Sequence, residues 1–120
     1  MAHILIVDDS ASMRQMVSFT LTSSGHSVTE ASDGQQALSL VQQGGAFDLV
    51  LSDVNMPVMD GITLVKQLRA INTCKFTPIL MLTTESGTDK KGEGKAAGAT
   101  GWIVKPFSPD QLVATVNKVL

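Results

Sequence analysis

The chain's 120 residues fit one domain and leave no room for a second. A hydrophobic fraction of 43% and a charged fraction of 17% are enough to fill a core and exclude a disordered chain. The formal net charge of -2, with no long charge run, gives no support to general nucleic-acid or membrane-surface binding, and the apolar runs are too short to span a bilayer.

Short apolar runs alternate with longer amphipathic ones. His3 to Val7 reads as a first strand, apolar on both faces as an interior parallel strand is. Ser10 offers an N-cap to a helix carrying Met13, Met16, Val17 and Leu21 at helical spacing, and Ser24-Gly25 stops it. Ser27 to Ala31 is a second, more polar strand, which suits a sheet edge. Asp33 caps a second helix with Gln36 three places on, in the pattern of a capping box. Ala37, Leu38 and Val41 form its apolar stripe, and Gly44-Gly45 ends it.

Asp48 to Asp53 is a third strand. It runs out into the stretch DVNMPVMDG, Asp53 to Gly61, which turns at Pro57. Ile62, Leu64, Val65 and Leu68 mark a third helix. Pro78 to Thr83 is a fourth strand, another interior one. Gly101 to Val104 is a fifth, and Ser108-Pro109-Asp110-Gln111 starts a final helix with Leu112, Val116 and Val119 toward the core. Between the last two strands a crossover helix is expected near Gly87 to Gly98. It is expected to be short or loose, because each interior glycine costs a helix about 1 kcal/mol relative to alanine.

Such a chain predicts an α/β fold: a doubly wound five-stranded parallel sheet in the order 2-1-3-4-5, with its switch point between the first and third strands. Ligands bind beyond the carboxyl ends of strands at such a point. The first strand ends at Asp8 and Asp9, the third at Asp53, the fourth at Thr83-Thr84 and the fifth at Lys105. Grouped carboxylates repel one another and call for a cation. With a hydroxyl and an ammonium beside them they are the parts of a magnesium-assisted phosphoryl transfer, in which one carboxylate can serve as nucleophile. Cys74, the single cysteine, reads as a small filler, and His3 and His26 as structural or surface residues without metal-ligand spacing.

The motifs VDDS (Val7 to Ser10), DVNMPVMDG, LTT (Leu82 to Thr84) and KPF (Lys105 to Phe107) resemble, in order and over the whole chain, those of the response-regulator receiver domains of two-component signalling, and among these the stand-alone chemotaxis type. The resemblance implies a flavodoxin-like single receiver domain over residues 1–120, with Asp53 as phosphoacceptor. Asp8, Asp9, Asp53 and the backbone carbonyl of Asn55 would hold Mg²⁺. Thr83 would be the switch hydroxyl and Lys105 the phosphate partner, with a cis bond before Pro106. Asn55 and Glu85 occupy the positions that tune hydrolysis in the family. Trp102 stands where the family usually has a switching tyrosine or phenylalanine.

The implied partners are a sensor histidine kinase of the chemotaxis type and a flagellar motor switch protein or another target, on the face formed by the fourth helix, fifth strand and fifth helix. The resemblance also implies a cytoplasmic monomer that is not an enzyme toward outside substrates. A phosphorelay or phosphate-sink receiver uses the same pocket. Two other readings fit less well. A phosphatase of the haloacid dehalogenase type needs D-x-D after the first strand, where this chain has DDS. A flavodoxin-type flavin carrier needs a phosphate loop where Asp8-Asp9 would repel a phosphate.

Overall fold

The structure, a computed structural model, describes residues 2–54, 56, 58–83, 95 and 97–120. In chain order the elements are β1 (His3–Val7), α1 (Ala11–Ser23), β2 (Ser27–Ala31), α2 (Gly34–Gln42), β3 (Leu49–Asp53), α3 (Gly61–Arg69), a 3₁₀ turn (Asn72–Cys74), β4 (Ile79–Thr83), β5 (Gly101–Val104) and α4 (Pro109–Val119). The five strands are parallel, in the order β2-β1-β3-β4-β5. The polar second strand is at an edge, as its composition predicts.

Alternation along the strands divides the core between the two faces of the sheet. Leu5, Val7, Val50, Ile79 and Met81 pack with Ala37, Leu38 and Val41 of α2 and Leu64, Val65 and Leu68 of α3. Ile4, Ile6, Leu49, Leu51, Leu80 and Leu82 pack with Val17 and Leu21 of α1 and Leu112 and Val116 of α4. With helices on both faces, the carboxyl ends of the strands remain open.

Local rules set most of the boundaries. Ser10, Asp33, Asp60 and Ser108 cap α1, α2, α3 and α4 by accepting a backbone N–H three residues on. The box at α4 is reciprocal, with Gln111 accepting the Ser108 N–H. The box at α2 is not the one expected: Gln36 accepts from the backbone N–H of Ser32 at 2.6 Å, one residue before the capping Asp33. Gly25 and Gly44, just past helix ends, have φ of 94° and 97°, a region glycine enters at little cost. The third and fourth strands each begin one residue later than the apolar pattern suggests.

Most of the crossover helix expected near Gly87 to Gly98 lies outside the described residues. Lys95 and Ala97 are helical, and Gly98 follows with φ 111°. Arg69 holds that end of the crossover. Its guanidinium donates to the carbonyls of Gly98, Cys74 and Thr77 at 2.7–3.0 Å. Cys74 is buried in the core on the α2–α3 face, the filler its sequence context suggests. His3 packs at a tilt against Phe47 and hydrogen-bonds Thr29, and His26 accepts the Ala2 N–H, so both histidines are structural.

Candidate functional site

Every polar group of Asp8 has a partner. Its N–H extends the β1–β2 ladder to the Ala31 carbonyl at 3.1 Å. Its Oδ1 accepts the Ser10 N–H at 2.9 Å, its Oδ2 meets the Lys105 ammonium at 3.2 Å, and its carbonyl accepts from Arg14 at 2.6 Å. The residue is wholly buried. Burial of an ionised carboxylate is tolerated only with such pairing and hydrogen bonding. Asp9, one residue on, is exposed.

Asp53 ends β3, next to β1 in the sheet. Its Oδ1 accepts the Val54 N–H at 2.8 Å and lies 3.5 Å from Lys105 Nζ. Burial pushes its carboxyl above the ordinary value, Lys105 pulls it back, and the nearby Asp8 charge pushes it up again. The loop beyond it returns tightly. The Gly61 N–H donates to the Val54 carbonyl at 2.8 Å, and a Cβ on Gly61 would strike the Asp53 carbonyl oxygen and the Met81 methyl. Glycine is therefore required at this close approach. In the same loop Val58 has φ 70°, a left-handed conformation rare for a β-branched residue, with its side chain 81% exposed.

Lys105 leaves β5 through a cis bond to Pro106, and its N–H donates to the Thr83 carbonyl at 2.7 Å. Its ammonium stands between Asp8 and Asp53. Thr83 is buried at the end of β4, paired in register with Val104. Trp102, paired with Met81, is partly buried against the core on the α2–α3 face. It also borders an open groove of about 570 Å³ with Val104, Phe107, Ala114 and Thr115.

Ligand oxygens of Asp8, Asp9 and Asp53 all lie within 4.8 Å of one another. Three carboxylates with one ammonium leave two negative charges over, which a single divalent cation cancels. An all-oxygen donor set at the open end of a sheet suits a hard cation such as Mg²⁺ that keeps some of its water. The structure thus brings together Asp8, Asp9, Asp53 and Lys105, with Thr83 one strand away. Asn55, Thr84 and Glu85 lie outside the described residues. Gly61 and Arg14 were not singled out in the sequence. Gly61 carries a signal there, as a glycine directly after the capping Asp60. Arg14 carries one too, as a cation near the positive end of a helix.

Comparison with known proteins gives the family. The model of the response regulator receiver domain matches residues 4–117. The chain belongs to the response regulator receiver domain family. Among relatives of this receiver, chemotaxis protein CheY-3 of Vibrio cholerae is 43% identical, with 97% of this chain and 89% of that protein covered. The CheY homologue of Campylobacter jejuni is 40% identical, with 98% and 91% covered. The solved structure of V. cholerae chemotaxis protein CheY4 superposes with a TM-score of 0.96 at 57% identity, covering 100% of this chain and 99% of that one. The receiver domain of a Pseudomonas aeruginosa sensor histidine kinase, solved with a magnesium ion coordinated in its active-site cleft, superposes with a TM-score of 0.89 at 27% identity, covering 98% and 95%. Receivers of this family act as phosphorylation-controlled switches, and the acidic cluster here is of the kind in which they bind metal. No helix among the described residues is long and apolar enough to cross a membrane.

Proposed function

We propose that this receiver, as a single domain over residues 1–120, takes a phosphoryl group from a histidine kinase onto Asp53, with Mg²⁺ bound by Asp8, Asp9, Asp53 and the Asn55 carbonyl. The observation that carries the reading is the Lys105 ammonium standing between buried Asp8 and partly buried Asp53, beside the exposed Asp9, at the switch point of the sheet. The magnesium-bound receiver of P. aeruginosa supports the choice of ion.

Asp53 Oδ1 is engaged by the Val54 N–H and Lys105, which leaves Oδ2 to attack phosphorus. In that step the new P–O bond forms as the P–N bond to the donor histidine breaks, and the freed imidazole takes a proton from solvent. Lys105 is already in place to balance charge on the phosphoryl oxygens. When bound, Mg²⁺ supplies charge neutralisation to the same oxygens. Hydrolysis reverses the modification: a water oxygen attacks phosphorus, the P–O bond to Asp53 breaks, and the carboxylate returns with inorganic phosphate. Asn55 and Glu85 are the residues we assign to tuning that rate.

Thr83 is the switch hydroxyl in this reading and Trp102 the aromatic that responds, bordering the groove along β5 and α4. That groove is the face offered to the target. The chemotaxis names of the relatives support a role in chemotaxis; a motor switch protein as target and a cytoplasmic, monomeric state complete the proposal.

The test is phosphotransfer from an autophosphorylated chemotaxis kinase carrying radiolabelled phosphate. Label should move to this chain, require Mg²⁺ and be released by hydroxylamine, as an acyl phosphate is. Hydroxylamine-stable label would place the phosphoryl group on a residue other than an aspartate.

A further inference from the structure

Arg14 is badly placed for helix stability. It is the fourth residue of α1, near the positive end of the helix dipole, where acidic residues are favoured and cations are not. Residues that break a local rule of this kind concentrate at functional sites. Its side chain folds back toward the acidic site. One arm donates to the Asp8 carbonyl at 2.6 Å, and its Nε lies 3.4 Å from Glu30 Oε1 on the edge strand β2. The Arg14 side chain is partly buried and Glu30 is exposed.

The Asp8 carbonyl belongs to the peptide that joins Asp8 to Asp9. The Asp8 N–H and both its carboxylate oxygens are already held by Ala31, Ser10 and Lys105. Arg14 completes that set from the carbonyl side. Fixing this peptide plane fixes the direction in which the chain delivers Asp9, whose carboxylate is exposed. Glu30 holds Arg14 in turn and offsets its charge. The pair therefore adds no net positive charge beside a site meant for a cation.

We infer that Arg14, clasped by Glu30, is a positioning residue for the divalent-cation site, acting through the Asp8–Asp9 peptide. This inference rests on the metal reading proposed above. Groups that orient metal ligands in this way change metal affinity by about 10- to 100-fold when removed. A planar guanidinium can reach the carbonyl and the carboxylate at once, whereas a lysine ammonium on a single stem cannot make both contacts in the same geometry.

The experiment is Mg²⁺ titration by calorimetry on the wild type, Arg14→Lys and the double variant Arg14→Gln/Glu30→Gln. The double variant leaves the net charge unchanged, so it separates geometry from electrostatics. Both variants should bind Mg²⁺ about tenfold more weakly than the wild type, with the deficit of the double variant persisting at high salt. The urea midpoint without Mg²⁺ should move little, which separates positioning from general stability. Double-variant binding within about twofold of the wild type would overturn the inference, as would a loss of affinity that only tracks a lower urea midpoint. Absence of Mg²⁺ binding by the wild type would instead overturn the metal reading beneath it, a result separable from failure of Arg14's role.

Discussion

Lys105 and Asp8, 97 positions apart in sequence, form an ion pair of 3.2 Å in which the carboxylate is almost entirely buried. No other cation among the described residues reaches the acidic side chains at the switch point. The lysine also lies 3.5 Å from Asp53, so it stands in for part of the charge a divalent cation brings.

Lys105→Met should therefore destabilise the metal-free protein by about 2–3 kcal/mol, because a buried carboxylate loses its partner. The loss should shrink in saturating Mg²⁺, which replaces the missing charge and stabilises by mass action. Urea unfolding with and without Mg²⁺ measures both. A variant that gains no more from Mg²⁺ than the wild type does would separate lysine and metal into independent sites.

Asp53 carries the opposite sign. Burial first, and then the Asp8 charge, hold its carboxyl above the ordinary value, while Lys105 only partly offsets them. The folded protein thus binds that proton more tightly than the unfolded chain. Stability falls as pH rises from the unfolded value through the folded one. Asp53→Asn should raise the melting temperature at neutral pH without Mg²⁺, and the gain should fade as the pH is lowered through that interval. Thermal unfolding against pH tests this. A lower melting temperature at neutral pH would mean that the Lys105 contact outweighs the burial.

Gly61→Ala should damage site and fold together. The added methyl meets the flexible end of Met81, which can give way, and the Asp53 carbonyl oxygen, which belongs to the backbone and cannot do so cheaply. A loss of about 1–3 kcal/mol is expected from such overpacking. Weakened Mg²⁺ binding should accompany it, because the displaced backbone carries the Asp53 carboxylate. Chemical denaturation and calorimetry on the same sample give both numbers.

Val58 is strained: φ is 70° and the side chain is 81% exposed. Asparagine tolerates the left-handed region better than a β-branched residue, which pays roughly 1–2 kcal/mol there. Val58→Asn should therefore stabilise the protein by about 1 kcal/mol in urea unfolding. An unchanged midpoint would place the loop in a different conformation in solution.

The fold was legible because alternation, caps and glycine stops agree with one another along nearly the whole chain. The polar strand Ser27 to Ala31 is at the edge, and the unbroken run ILMLT is inside. The meeting of Asp8, Asp9, Asp53 and Lys105 followed from strand order alone, since a parallel sheet puts every strand's carboxyl end on one side. What could not be read were contacts made by long side chains to the main chain. The reach of Arg14 back to Asp8, the attachment of Gln36 to Ser32 and the grip of Arg69 on Gly98 depend on rotamers and backbone direction, which leave no periodic trace. The strain at Val58 was hidden for a similar reason, because valine does not advertise a positive φ.

The most direct test of the central claim is the intact mass of the protein after incubation with acetyl phosphate, with and without Mg²⁺, on the wild type and Asp53→Asn. An adduct of one phosphoryl group is expected that requires Mg²⁺ and is absent from the variant. An adduct of equal size on Asp53→Asn, or none on the wild type under any condition, would contradict it.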